Sequence, residues 1–143
     1  MMLKAVFDTN VLISGILWKG IPFQLLTWAE ASQLQIYTSF EILEEVYRVL
    51  HYPKFQGYID NQQAALRTLF AKISSLCTMI EVDRIVKGIC SDADDEKFLS
   101  CALTANVNVL VSGDKHLLDL KNYRSIRILT AREFSDENIH LII

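Results

Sequence analysis

The chain is poor in the features that would set it apart from an ordinary globular protein. Its three cysteines, Cys77, Cys90 and Cys101, are odd in number and lack CxxC spacing. This argues against a disulfide framework or a zinc site and points to a reducing cytoplasm. Two prolines and five glycines leave no linker, repeat or low-complexity stretch. The 143 residues therefore read as one domain over residues 1–143, long enough for a single core. No apolar run approaches the roughly 18 residues of a membrane helix, and Asp8 stands where an export signal needs apolar residues. Basic charge is scarce too: 14 Lys and Arg against 17 Asp and Glu give a net charge of −3. That disfavours broad electrostatic attachment to DNA or an anionic membrane. A composition of 51% hydrophobic and 22% charged residues excludes a disordered chain.

What is present is an alternation of strand and helix patterns. Residues 3–7 read as a strand ending at Asp8, and Asn10 as the N-cap of a first helix. Pro22 suits the first turn of a second helix. Leu34 to Tyr37 is a strand, after which Thr38 and Glu41 suggest a capping box opening a helix to Leu50. A longer helix is expected over Asp60 to Leu76, with Ala64, Leu66, Leu69, Phe70 and Ile73 inward. Strands follow at 79–82, 107–112 and 126–129, with helices at 94–105 and 115–121 and a capped turn at 130–134. Such alternation predicts a mostly parallel sheet with helices on both faces.

Within this frame the acids are concentrated at strand ends and helix starts: Asp8, Glu45, the Asp92-Ala93-Asp94-Asp95 cluster, and Asp114. Strand ends of an open α/β sheet converge on one crevice. Carboxylates gathered there without matching cations favour a hard divalent ion, Mg²⁺ or Mn²⁺. Helical phase, at about 100° per residue, separates neighbouring acids. Glu45 falls at the edge of the apolar stripe of Ile42, Val46 and Val49. Glu44 falls opposite, where it can pair with Arg48. Asp95 continues the stripe of Phe98, Leu99 and Ala102, while Glu96 lies at its edge and Lys97 points out. Asp95 is thus the favoured ligand, with Asp92 and Asp94 as outer partners. Each acid has a plainer reading as a helix cap, a solvated helix residue or a turn residue; only the joint pattern is specific.

Four segments, FDTNVLISGIL, LEEVYRVL, DADDEKFLSCAL and VLVSGDKHLL, together resemble the PIN domain family. The resemblance lies with the branch of small microbial members labelled as toxins of toxin–antitoxin pairs (VapC-like). It implies a three-layer α/β/α sandwich with a central, mostly parallel sheet of about five strands. It also implies a metal-dependent ribonuclease, a small antitoxin partner and a homodimer. The family's acids carry over onto Asp8, Glu45, Asp95 and Asp114, and its polar residue after the first strand onto Asn10. Ala93 stands where the family commonly has Pro.

Phosphodiester hydrolysis needs an activated water and stabilisation of charge on the phosphoryl oxygens, which divalent ions supply. Asp8, Asp95 and Asp114 are the expected ligands, and Glu45 completes the catalytic set. Asn10, Ser112 and Lys115 are expected to position water or phosphate. Lys115, which adjoins Asp114, is the favoured cation among Lys19, Arg48, Lys54, Lys121 and Arg124. His51 and His140 read as structural or surface residues, and His116 is a lesser candidate for RNA contact. A phosphatase would want an acid at position 10, where Asn stands. A response-regulator-like pocket would want a differently placed Lys. A non-catalytic RNA- or protein-binding module remains the alternative.

Overall fold

A computed structural model describes residues 2–57 and 63–142, without the side chains of Gln56, Gln63 and Ala64. The expected start of the long helix at Asp60, and its core position Ala64, lie outside the described residues. The first half comprises β1 (Leu3–Phe7), α1 (Thr9–Leu17), α2 (Ile21–Glu30), β2 (Leu34–Ser39), α3 (Phe40–Leu50), α4 (Pro53–Gln56) and α5 (Gln63–Leu76). The second comprises β3 (Cys77–Ile80), α6 (Glu96–Ala105), β4 (Val109–Val111), α7 (Lys115–Leu120), β5 (Asn122–Tyr123), β6 (Ile126–Leu129) and α8 (Ala131–Asn138).

The strands form one sheet in the order β3-β2-β1-β4-β6-β5, parallel except for β5, which pairs antiparallel with β6. Helices cover both faces to give a three-layer sandwich. The central strand shows why: Ala5, Val6 and Phe7 are all fully buried, as in a parallel sheet covered on both sides. α6 packs across β1, β2 and β4, whereas α2 packs on β2 and α8. Phe134 of α8 meets Phe7 edge-on at 6.5 Å between ring centroids. Gly15 lets α1 press against α2, since a Cβ there would stand 2.6 Å from Leu26 Cδ1.

Six strands replace the five expected. The additional one, β5, has two residues and is bracketed by Lys121 and Arg124 at φ 63° and 53°, too short to show alternation. Two caps also move. Asp8, not Asn10, caps α1, its carboxylate accepting from the Val11 N–H at 2.8 Å. Ser39, not Thr38, caps α3, because β2 runs on to Ser39 and draws Thr38 into the sheet. β3 begins at Cys77, directly after α5, two residues before the expected strand. The capped turn at Thr130 is a full capping box with Glu133 and continues as α8.

The topology selects one place for a site. From β1 the chain moves outward to β2 and β3, then crosses back to β4 on the other side of β1. The sheet order therefore reverses between β1 and β4, and a crevice opens beyond their carboxyl ends. Phe7 pairs with Val111 at that point, so Asp8 and the Ser112–Gly113–Asp114 turn leave the sheet side by side.

Candidate active site

Two walls meet at this crevice. The sheet wall is built on Asp8, which is 3% exposed. The Asp8 N–H donates to the Val111 carbonyl at 3.0 Å, extending the β1–β4 ladder by one bond. Its carboxylate accepts from the Ser112 hydroxyl at 2.6 Å and the Gly113 N–H at 3.3 Å, in addition to the α1 cap. The same Ser112 oxygen accepts from the Asp114 N–H at 2.9 Å, which sets Asp114 as N-cap of α7. Burial raises the Asp8 carboxyl above its ordinary 3.8, the three donated hydrogen bonds pull it back, and the charge of Asp114 raises it further. A buried carboxylate with three donors is costly to ionise but firmly aimed.

The helical wall is built on Glu45 of α3 and Asp95, which ends a 3-10 turn at Ala93–Asp95 just before α6. Asp92 caps that turn, accepting from the Asp94 N–H at 2.9 Å. Asp95 caps α6 only through its backbone, its side chain making no capping bond. Its carboxyl is pushed up to about 6, mainly by burial, then by the charges of Asp114, Asp92 and Glu45, with Lys97 opposing. Burial, ahead of like-charge repulsion, is the leading cause of the rise for both Asp8 and Asp95.

Asp8, Asn10, Glu45, Asp95 and Asp114 line one open cavity of about 230 Å³. Glu44 is exposed, as its helical phase requires. Glu96 is buried away from the cavity, where it accepts from the Ile89 and Cys90 N–H groups at 2.6 and 3.0 Å. Ser100 and Thr104, one and two turns along α6, accept from the Val86 N–H and from the Asp83 and Arg84 N–H groups. This i, i+4, i+8 ladder straps the loop between β3 and α6, so Glu96 has a structural task. A roomier cavity of about 480 Å³ lies beside that loop, lined by Val82, Ile85 and Val86 together with Lys87, Glu96 and Lys97. None of Asp8, Glu45, Asp95 and Asp114 lines it.

Three assignments differ from the sequence reading. Lys97 does not point out: its side chain is 15% exposed and its ammonium donates to Glu45 at 2.9 Å, with Asp94 at 3.8 Å. A long flexible arm bends back onto a charge that its Cβ direction does not indicate. Arg48 pairs at 3.7 Å with Glu45 rather than Glu44. Lys115 is exposed and does not line the cavity, whereas Lys54 and Tyr52 do. Thr9 was not singled out, yet its buried hydroxyl donates to Glu45. Its position beside Asp8 was the one available signal. Asp94, with a side chain 71% exposed, borders the site through Lys97.

The donor set, all carboxylate oxygen, suits a hard divalent ion, and the charges of Asp114, Asp92 and Glu45 add to burial in raising the Asp95 carboxyl. Among the described residues, however, no three Asp, Glu, His or Cys side chains are grouped to hold a metal. Glu45 in particular is already engaged by Thr9, Lys97 and Arg48.

The fold and crevice define an α/β domain with an acidic switch-point site. Residues 4–116 match the PIN domain family model, and the chain belongs to that family. PIN domains are generally nucleases and typically use divalent metals. A Methanocaldococcus jannaschii protein, the uncharacterized protein MJ1680, is 31% identical over 94% of this chain and 91% of its own length. Among solved structures, VapBC2 from Rickettsia felis, bound to a DNA fragment from its promoter, is similar with a TM-score of 0.60. That match has 14% identity and covers 90% of this chain and 98% of the other. The T. brucei RRP44 PIN domain is similar with a TM-score of 0.51 and 15% identity, over 99% of this chain and 83% of that one. At these identities the two structures speak for the fold.

Proposed function

We propose that the protein is a metal-dependent endoribonuclease that hydrolyses RNA phosphodiester bonds at the acidic crevice. The observation that carries this reading is the meeting of Asp8, Glu45, Asp95 and Asp114, from four separate segments, around one cavity. Asp8, Asp95 and Asp114 would hold Mg²⁺ or Mn²⁺, which when bound supplies an activated water and a counter-charge for the phosphoryl oxygens. The chain's own contribution is orientation. Ser112 and the Gly113 N–H aim Asp8 from below. Thr9 and Lys97 hold Glu45 against the opposite side, and the exposed amide of Asn10 offers hydrogen bonds to a phosphate oxygen or water.

We further infer a cytoplasmic toxin of a toxin–antitoxin pair, acting as a homodimer with a small antitoxin as partner. The Rickettsia felis relative by fold is one component of a VapBC2 complex, which supports the antitoxin. A non-catalytic binding module is the second reading, favoured by the ion pairing that already occupies Glu45.

Purified protein incubated with a long RNA should cleave it with Mg²⁺ or Mn²⁺ and stop with EDTA. Millimolar Mn²⁺ should also raise the melting temperature, since an ion bound by the folded site stabilises it. A binding module would hold RNA without shortening it in any of these conditions.

A further inference from the structure

We propose that the turn joining α3 to α4 is the strand-binding lip of the crevice. Lys54 takes the phosphate, and Tyr52 stacks on the base, of the nucleotide adjoining the cleaved bond of a single-stranded RNA. This rests on the ribonuclease reading and adds to it the seat of the substrate.

The charge arrangement singles out Lys54. Lys97 and Arg48 are both drawn onto Glu45 and neither lines the cavity. Lys54 is the one cation on the lining among the described residues, and it has no carboxylate ion-pair partner among them. Instead its ammonium stands 5.0 Å from the centre of the Phe55 ring. An ammonium with no carboxylate partner among the described residues, beside a site rich in carboxylates, is placed to meet an incoming anion, and a phosphodiester strand brings one at every nucleotide.

Tyr52 supplies the second requirement. It lines the same cavity, yet is 43% exposed, so the aromatic side chain remains accessible. Stacking platforms beside a cation are the usual means of holding single-stranded nucleic acid. The turn itself is anchored: Pro53 opens α4, and Phe55 is buried with its ring 6.1 Å from that of Trp18. Tyr52 and Lys54 thus flank a residue of fixed φ on a segment pinned to the core. A duplex would bury its base faces and leave Tyr52 nothing to stack on.

The test uses a short fluorescein-labelled single-stranded RNA with Mg²⁺. Binding is read by anisotropy in an Asp8→Asn background, and cleavage kinetics in otherwise unaltered protein. Lys54→Met should weaken binding and raise KM roughly tenfold, with kcat changing much less. It should also flatten the log–log salt dependence by about 0.7, the share of one phosphate contact on a single strand. Tyr52→Leu, which keeps bulk but not the ring, should weaken binding roughly tenfold, whereas Tyr52→Phe should bind like its parent. Lys72→Met, removing an equal charge where Lys72 pairs with Glu30, should change nothing. If Lys54→Met and Tyr52→Leu bind and cleave like their parents, the lip is overturned while the ribonuclease reading stands. Equal weakening toward a duplex RNA overturns the single-strand assignment. If the unaltered protein neither binds nor cuts RNA, the ribonuclease reading fails and takes this inference with it.

Discussion

The two walls of the crevice hold their charges in opposite ways. On the sheet wall, Asp8 is buried and receives hydrogen bonds from Ser112, Gly113 and Val11, two of them from backbone. On the helical wall, Glu45 and Asp95 are partly exposed, and Glu45 is held by the flexible arms of Lys97 and Arg48 as well as by Thr9. Backbone donors at parallel strand ends cannot move without breaking the ladder, whereas a lysine can swing away at little cost. The sheet wall is therefore set before anything binds, and the helical wall is able to adjust when a cation or phosphate arrives.

The severest way to break this arrangement is to remove a charge from either wall. Asp8→Asn and Asp95→Asn should each lower metal-dependent RNA cleavage by about 100-fold or more, measured as initial rates on a fluorogenic RNA. Circular dichroism of the folded variants should be unchanged. A variant retaining more than a tenth of the activity would remove that residue from the catalytic set.

Lys97→Met should act through the helical wall alone. It takes from Glu45 and Asp94 the cation they share, leaving Arg48 on Glu45, and removes a charge that lowers the Asp95 pKa. Cleavage should fall about tenfold, and the acidic limb of the pH–rate profile should move to higher pH. Lys97→Arg, which keeps the charge, should restore that limb. An unmoved limb in Lys97→Met would show that Lys97 does not govern Asp95.

Stability should separate the walls by sign. Asp8→Ala loses an N-cap and orphans the Ser112 and Gly113 donors, and should cost about 1–3 kcal/mol in urea unfolding. Asp95 behaves otherwise. Its folded value of about 6 lies above the ordinary 3.8, so the metal-free folded state holds the proton more tightly than the unfolded chain. The stabilisation this gives is complete below 3.8 and is lost as pH rises through about 6. After discounting for solvent screening it amounts to on the order of 1 kcal/mol. Metal-free Asp95→Asn should therefore lose less stability than the unaltered protein between these pH values. A parallel decline in both would deny the effect.

The smallest effect is expected one residue from the site. Glu44→Gln changes an exposed helix residue and should alter stability by less than about 0.5 kcal/mol and leave cleavage unchanged. Loss of activity comparable to that of Asp95→Asn would undo the distinction between Glu44 and Glu45.

By itself the sequence determined the alternation of strands and helices, and with it the parallel sheet. It also separated Glu45 from the exposed Glu44, because the periods of side-chain direction, two in a strand and 3.6 in a helix, are local and printed in the apolar pattern. Glu96, which the same phase sets at the edge of its stripe, is more buried than Asp95, because the loop after β3 folds onto it and donates the Ile89 and Cys90 N–H groups to its carboxylate. Only the tertiary structure decided the partners. Thr38 lost its capping role because β2 paired with β3 through that residue, which stands opposite Met79. β5 exists only because β6 is there to pair with it. Lys97 turned inward because Glu45, 52 positions away in sequence, stood within reach of its ammonium. Lys54 and Tyr52 came to the crevice because the chain bends at Pro53 over the buried Phe55. A side chain's direction is a property of its own backbone, but the charge it meets at the end of a long arm depends on every element packed around it.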